Sequence, residues 1–314
     1  MMRAVLAAAV ATVSLVPAGV LAEDKPADEA EDKPADEAEA EAKTKPAGEV
    51  EEDTAVAEVA ASGPAKGRMT LPGGKVLFDV IVETNLAKGV TLKPISVAPD
   101  LWIGVADRLT FGIVHSGRAT TGFLTGSGRG LCFNGGADKG VCAAGLGKIY
   151  TSGGAQARIG LLEGGFALAL DLGVHAFAFK PKVVLAGKVG FIGRFQAGGF
   201  ALELAPSIFA GLTQRTIDMG GVKVSNNEER VAVPVTALIM LTSGFAIALQ
   251  SGVTFPLKQA GDNWQVPAAA GLALLVGSRV SIDVAFGLDA ALDTNDATKP
   301  LDARSLTLGV GYGL

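Results

Sequence analysis

One short stretch recurs three times and fixes what the chain can fold into. It reads Gly165-Phe166-Ala167-Leu168-Ala169-Leu170-Asp171, then Gly199-Phe200-Ala201-Leu202-Glu203-Leu204-Ala205, then Gly244-Phe245-Ala246-Ile247-Ala248-Leu249-Gln250. In each copy, Phe, Leu or Ile alternates with a second set drawn from Ala, Asp, Glu and Gln. A period of two means a β-strand with two unlike faces. A soluble sheet would meet water on one of them through Lys, Glu, Thr and Ser. Here the second face is mostly Ala and Gly with a few charges, which suits a wall with lipid outside and a narrow polar lumen inside.

The same alternation runs through most of the chain after Lys75. Twelve strands are predicted, at about 76–85, 95–105, 108–116, 149–162, 165–178, 182–195, 199–213, 230–242, 244–256, 264–276, 279–291 and 303–314. The connections alternate as well. Tight ones fall near Ala106-Asp107, Glu163-Gly164, Ala197-Gly198, Thr242-Ser243 and Gly277-Ser278. Those at 86–94, 117–148, 214–229, 257–263 and 292–302 are long, and 179–181 alone is short among them. Short periplasmic turns and long outer loops are the pattern of a transmembrane barrel, and strands of about 9–11 residues suffice to cross tilted. The uncharged run from Val231 to Leu257 has the hydropathy of a transmembrane helix. Pro234, the Ser243-Gly244 break and the period of two read instead as two strands and a turn.

The start has a different character. Met1-Met2-Arg3, an apolar run from Ala4 to Val16, and Val20-Leu21-Ala22 form a secretory signal, with cleavage expected after Ala22. Glu23 to Ala30 is then copied as Glu31 to Ala38. Residues 23–59 hold 15 acidic residues and 4 lysines, whereas residues 60–314 hold 17 acidic and 22 basic ones. An acidic, proline-punctuated segment without aromatics cannot bury enough surface to offset chain entropy, so 23–67 is read as a disordered tail, a spacer in the periplasm or a plain linker. The domains expected are thus a signal at 1–22, the tail at 23–67 and a barrel at 75–314.

The final ten residues place Leu306, Leu308, Val310, Tyr312 and Leu314 on one face and Ser305, Thr307, Gly309, Gly311 and Gly313 on the other. The run Thr307-x-Gly309-x-x-Tyr312-x-Leu314 resembles the C-terminal signal by which outer-membrane barrels are recognised for insertion, with Leu314 where Phe or Trp is usual. Residues 75–314 as a whole resemble the bacterial outer-membrane β-barrel class. That resemblance implies an all-β antiparallel barrel of about 12 strands in a Gram-negative outer membrane, with the insertion machinery, membrane lipid and lipopolysaccharide as partners. It points to no specific family. A soluble periplasmic β-sandwich is the competing fold.

On strict alternation the lumen receives Asp79, Glu83, Asp100, Arg158, Asp171, His175, Lys188, Arg194, Glu203, Asp283 and Asp289. A Lys or Arg facing lipid at the midplane costs about 2–4 kcal/mol, so these charges belong inside. Small residues on that face, Gly104, Ala169, Gly173, Gly190, Gly211, Gly252, Gly271 and Gly287, suggest open volume. A porin-like channel for small solutes follows, against a structural or adhesive barrel with a blocked lumen and, remotely, an outer-membrane hydrolase. His175 and Asp171, four residues apart on a strand, are about 13 Å apart and no dyad. Gly-x-Ser-x-Gly, His-Glu-x-x-His and Cys-x-x-Cys are all missing, so no catalytic, metal or cofactor site is expected. Cys132 and Cys142, the only cysteines, share the longest loop, and an exported chain favours their disulfide over a metal pair or free thiols. Lys88, Lys93, Arg118, Arg129, Lys148, Lys180 and Lys182 are expected at the outer end, where they could meet lipopolysaccharide phosphates. Without a clustered basic stripe, nucleic acid is not an expected partner.

Overall fold

The computed structural model describes residues 67–86, 95–125, 130–133, 150–179, 182–219, 221–260, 263–293 and 304–314. The elements are β1 (Val76–Asn85), β2 (Ile95–Ala106), β3 (Leu109–Val114), a short helix α1 (Gly117–Thr121), β4 (Leu131–Phe133), β5 (Gly153–Leu162), β6 (Phe166–Ala178), β7 (Val184–Ala197), β8 (Phe200–Leu204), β9 (Ser207–Gly211), β10 (Thr216–Met219), β11 (Val222–Ser225), β12 (Arg230–Thr242), β13 (Phe245–Pro256), β14 (Gln265–Val276), β15 (Val280–Asp293) and β16 (Arg304–Gly313). Each wall strand pairs antiparallel with its sequence neighbours, and β1 pairs with both β2 and β16. The sheet therefore closes on itself as a barrel of 12 strands, β8 and β9 together making one of them. Closure removes the unpaired edges that an open sheet would expose.

The wall follows from the alternation. Ala167, Ala169, Asp171 and His175 of β6 are buried inward, while Phe166 and Val174 stand exposed on the other parity. Phe78, Phe111, Phe191, Phe195, Phe200 and Phe286 project outward in the same way. Along the twelve strands the outward parity carries one charged side chain, Arg304, at the first residue of β16 next to the long connection. Gly198 and Gly277, at φ 58° and 65°, take the left-handed backbone that their tight turns need.

Two departures from the sequence reading have local causes. The predicted strand 199–213 is broken at Ala205-Pro206, where its partner β12 offers Pro234. Two prolines face a stretch of ladder in which neither can donate, so pairing resumes only on either side, at Val235–Ile239 with β8 and Arg230–Ala232 with β9. The third strand was expected to run to Ser116 but stops at Val114. Above it β4 takes over as neighbour of β2, pairing Leu131, Cys132 and Phe133 with Val97, Ser96 and Ile95. The wall stays closed while residues 115–125 turn into the lumen.

Candidate functional site in the lumen

The inward segment is built as a strap. Ser116 caps α1: its hydroxyl accepts from the Ala119 N–H at 2.9 Å and donates to Asp100 Oδ2 at 2.5 Å. Asp100 Oδ1 also accepts from the His115 and Ser116 backbone at 2.6 and 3.0 Å. From α1, Arg118 reaches across to β15 and grips Asp283 with both terminal nitrogens, at 2.9 and 2.7 Å. A planar fork on a carboxylate is both strong and directional. Gln250 of β13 accepts from Leu124 N at 2.6 Å and donates to the Gly122 carbonyl at 2.9 Å, and Lys188 of β7 donates to the Ala119 carbonyl at 3.3 Å. The strap is thus tied to four parts of the wall. Arg118, expected among the outer-loop cations, lies inside the barrel because three lumen carboxylates surround it. The expected outer loop 117–148 is corrected to the same extent.

A second segment crosses the end with the tight turns. Gly67 accepts at its carbonyl from Gly164 N, Leu71 N donates to Thr110 Oγ1 at 2.7 Å, and Thr70 Oγ1 donates to the Asp107 carbonyl at 3.0 Å. Leu71 packs among Leu77, Trp102 and Val114, and Met69 against Ala167, Ala169 and Ile192. Three of the small lumen residues therefore mark space filled by inserted chain and not open volume. Pro72 lies against Gly104, Phe123 against Gly252 and Thr125 against Gly287, each where a β-carbon would stand. Small side chains make room for inserted chain.

Between the two segments remains a cavity of about 120 Å³, lined by Met69 on one side, by Arg118 to Leu124 on the other, and by wall charges around it. These charges divide into two arcs. On β5 to β8, Lys188 pairs with Asp171 at 2.7 Å and Arg194 with Glu203 at 2.9 Å, and Gln156 donates to the other Asp171 oxygen. Arg158 donates to the Met69 carbonyl at 3.4 Å and lies 5.0 Å over the Trp102 ring. On β15, β1 and β2 the inward charges are Asp283, Asp289, Asp79, Glu83 and Asp100, all acidic. Asp289 accepts from Ser305 at 3.2 Å and Glu83 from Thr307 at 3.1 Å.

The remaining predicted positions have plain surroundings. His175 is buried beside Thr120, with its ring near Phe177 and Phe209, and Arg230 stacks on those two rings at 4.3 and 5.0 Å. His115 holds the Pro99 carbonyl at 2.5 Å. Of the insertion-signal residues, Gly309 and Thr307 face inward and Tyr312 and Leu314 outward. Cys132 is buried on β4, while Cys142 lies outside the described residues. So do Lys88, Lys93, Arg129, Lys148 and Lys180; Lys182 is exposed. Among the described residues no group of three His, Cys, Asp or Glu is placed to hold a metal.

The sequence matches no family model and no curated protein. Among solved structures it is similar to the NanC porin, with TM-score 0.50 and 9% identity over 75% of this chain and 100% of that one. The fold is porin-like. An outer-membrane channel from Pseudomonas putida F1 also resembles it, with TM-score 0.49 and 13% identity over 78% of this chain and 97% of that one. At such identities the likeness is one of fold, and the lumen has to be read from its own residues.

Proposed function

We propose that this chain is an outer-membrane channel for passive passage of small solutes, held narrow at rest by the strap at 115–125. The observation that carries the reading is the contrast between the two faces of one wall. The outward parity of twelve strands is free of charge except for Arg304 at the end of β16, and the inward parity encloses a charged cavity. Lipid is the solvent that the first face fits, and a polar path is what the second can offer. The tight-turn end is then periplasmic. The signal at 1–22, the acidic tail at 23–67, the Cys132–Cys142 bond, the role of Thr307, Gly309, Tyr312 and Leu314 in insertion, and the contact of outer-loop cations with lipopolysaccharide belong to the same proposal. A non-enzymatic role is supported by Ser116, a lumen serine bonded to a carboxylate and next to His115 in sequence. It is wholly buried, and its hydroxyl is engaged with Asp100 and Ala119.

A second reading, a structural barrel with a sealed lumen, is favoured by one observation: both inserted segments are hydrogen-bonded to the wall. Swelling of proteoliposomes in a graded series of uncharged and charged solutes decides between them. Swelling with the smallest solutes and a sharp size cut-off is expected. No swelling with any solute, from barrel that shows the heat-modifiable gel shift of the folded state, would establish the sealed reading.

A further inference from the structure

The acidic arc holds more carboxylate than the chain neutralises. The β1–β2 register sets Asp79 directly across from Asp100 on the inward face. Asp283 reaches the same place from β15 over the intervening strand. There β16 presents only Gly311 opposite Asp79 and Gly309 opposite Asp283. The Asp283 carboxylate occupies the space that a β-carbon on Gly309 would need, so glycine is what lets the two arms of the arc approach. Among the described residues one cation serves this cluster, and it comes from the strap. Arg118 gives both terminal nitrogens to Asp283. Asp100 is engaged with the His115 and Ser116 backbone and the Ser116 hydroxyl. Asp79 is 8% exposed and faces the cavity, and among the described residues no cation lies within ion-pair distance of it. The neighbouring Lys188 and Arg194 are held by Asp171 and Glu203.

A buried carboxylate without a counter-ion is costly, and the chain already displays the chemistry that relieves it. We propose that the arc of Asp79, Asp100 and Asp283 is a binding site for an organic cation bearing a guanidinium or primary ammonium group, with Arg118 as its resident competitor. The incoming group takes Asp79 first, because among the described residues that carboxylate makes no ion pair, and it faces the cavity. It then competes for Asp283 with the same planar donors that Arg118 uses. When Arg118 is displaced, α1 loses the ion pair that ties it to the wall, so binding of the solute and release of the strap are coupled and reciprocal. This deepens the channel reading by naming the solute class that opens the strap.

Isothermal titration calorimetry on the full chain folded in detergent tests it, with methylguanidinium as probe and tetramethylammonium as a cation without N–H donors. Saturable one-site binding of methylguanidinium, stronger than that of tetramethylammonium, is expected. Arg118→Gln removes the competitor and should tighten binding about tenfold, and adding Asp79→Asn to it should reverse that gain. Arg118→Lys, which keeps the charge and loses the fork, should fall between wild type and Arg118→Gln, and it remains informative if Arg118→Gln folds poorly. Equal affinity across the Arg118 variants, or no loss on Asp79→Asn, would overturn the proposal. The readout needs no conduction: a sealed barrel that binds methylguanidinium at this arc would sink the channel reading and leave the site standing.

Discussion

The two arcs of the lumen wall neutralise their charge in different ways. On β5 to β8 the pairs form between neighbouring strands of the same sheet, Lys188 with Asp171 and Arg194 with Glu203. The ladder fixes the backbones of those partners side by side, so they stay neighbours as long as the wall stays paired. On β15, β1 and β2 the wall contributes only carboxylates, and the cation arrives from a segment outside the wall. The first arc is part of the barrel's structure. The second is completed by a strap tied by one ion pair and a few hydrogen bonds, so it is the side of the lumen that can change while the barrel stays folded.

The largest expected effect tests the first arc. Lys188→Met leaves Asp171 buried with Gln156 but without its cation, which should cost about 3–5 kcal/mol in reversible unfolding followed by tryptophan fluorescence. Lys188→Met with Asp171→Leu should recover most of that loss, because an apolar pair of similar volume needs no neutralising partner. A double variant as unstable as the single one would mean that the pair's role lies in the strap contact with Ala119 instead. Next comes Arg118→Ala, expected to cost about 2 kcal/mol or less, since the strap can withdraw and let water reach Asp283. A loss as large as that of Lys188→Met would erase the distinction between the arcs. Ser116→Ala removes the cap of α1 and a hydrogen bond to Asp100, for about 1 kcal/mol. Hydrogen exchange of the α1 amides should rise in that variant while the β-strand amides stay protected. The smallest effect belongs to the outward face. Leu168→Ile exchanges one apolar group in lipid for another and should stay within about 0.5 kcal/mol, with methylguanidinium binding unchanged.

The contrast between wall and strap also sets what was readable in the sequence. The strands were legible because the outward positions, Arg304 at the end of β16 apart, obey one rule, the exclusion of charge, and a rule applied at every second residue leaves a period. All the tight turns but the one at Ala106-Asp107 were legible from glycine. The strap was not, because nothing local drives it inward. Arg118 and Asp283 are 165 residues apart, and their meeting depends on closure of the whole ring. The one available signal was an imbalance: Asp79, Asp100 and Asp283 crowd one arc with no lysine or arginine on the inward face of β15, β16, β1 or β2. The same oversight made Gly104, Gly252 and Gly287 look like open space, whereas they accommodate Pro72, Phe123 and Thr125. Met69 and Leu71 were apolar residues just before the first strand, and that position gave no hint that they cross the lumen.

Single-channel recording in planar bilayers, comparing wild type with Arg118→Ala, bears most directly on a barrel kept narrow by a strap. Wild type should give small or brief openings, and Arg118→Ala should give larger, longer ones with a shift of reversal potential toward cations, as Asp79, Asp100 and Asp283 come to face the path without Arg118. Silence from both proteins, each shown to be folded and inserted, would contradict the account, as would identical currents from the two.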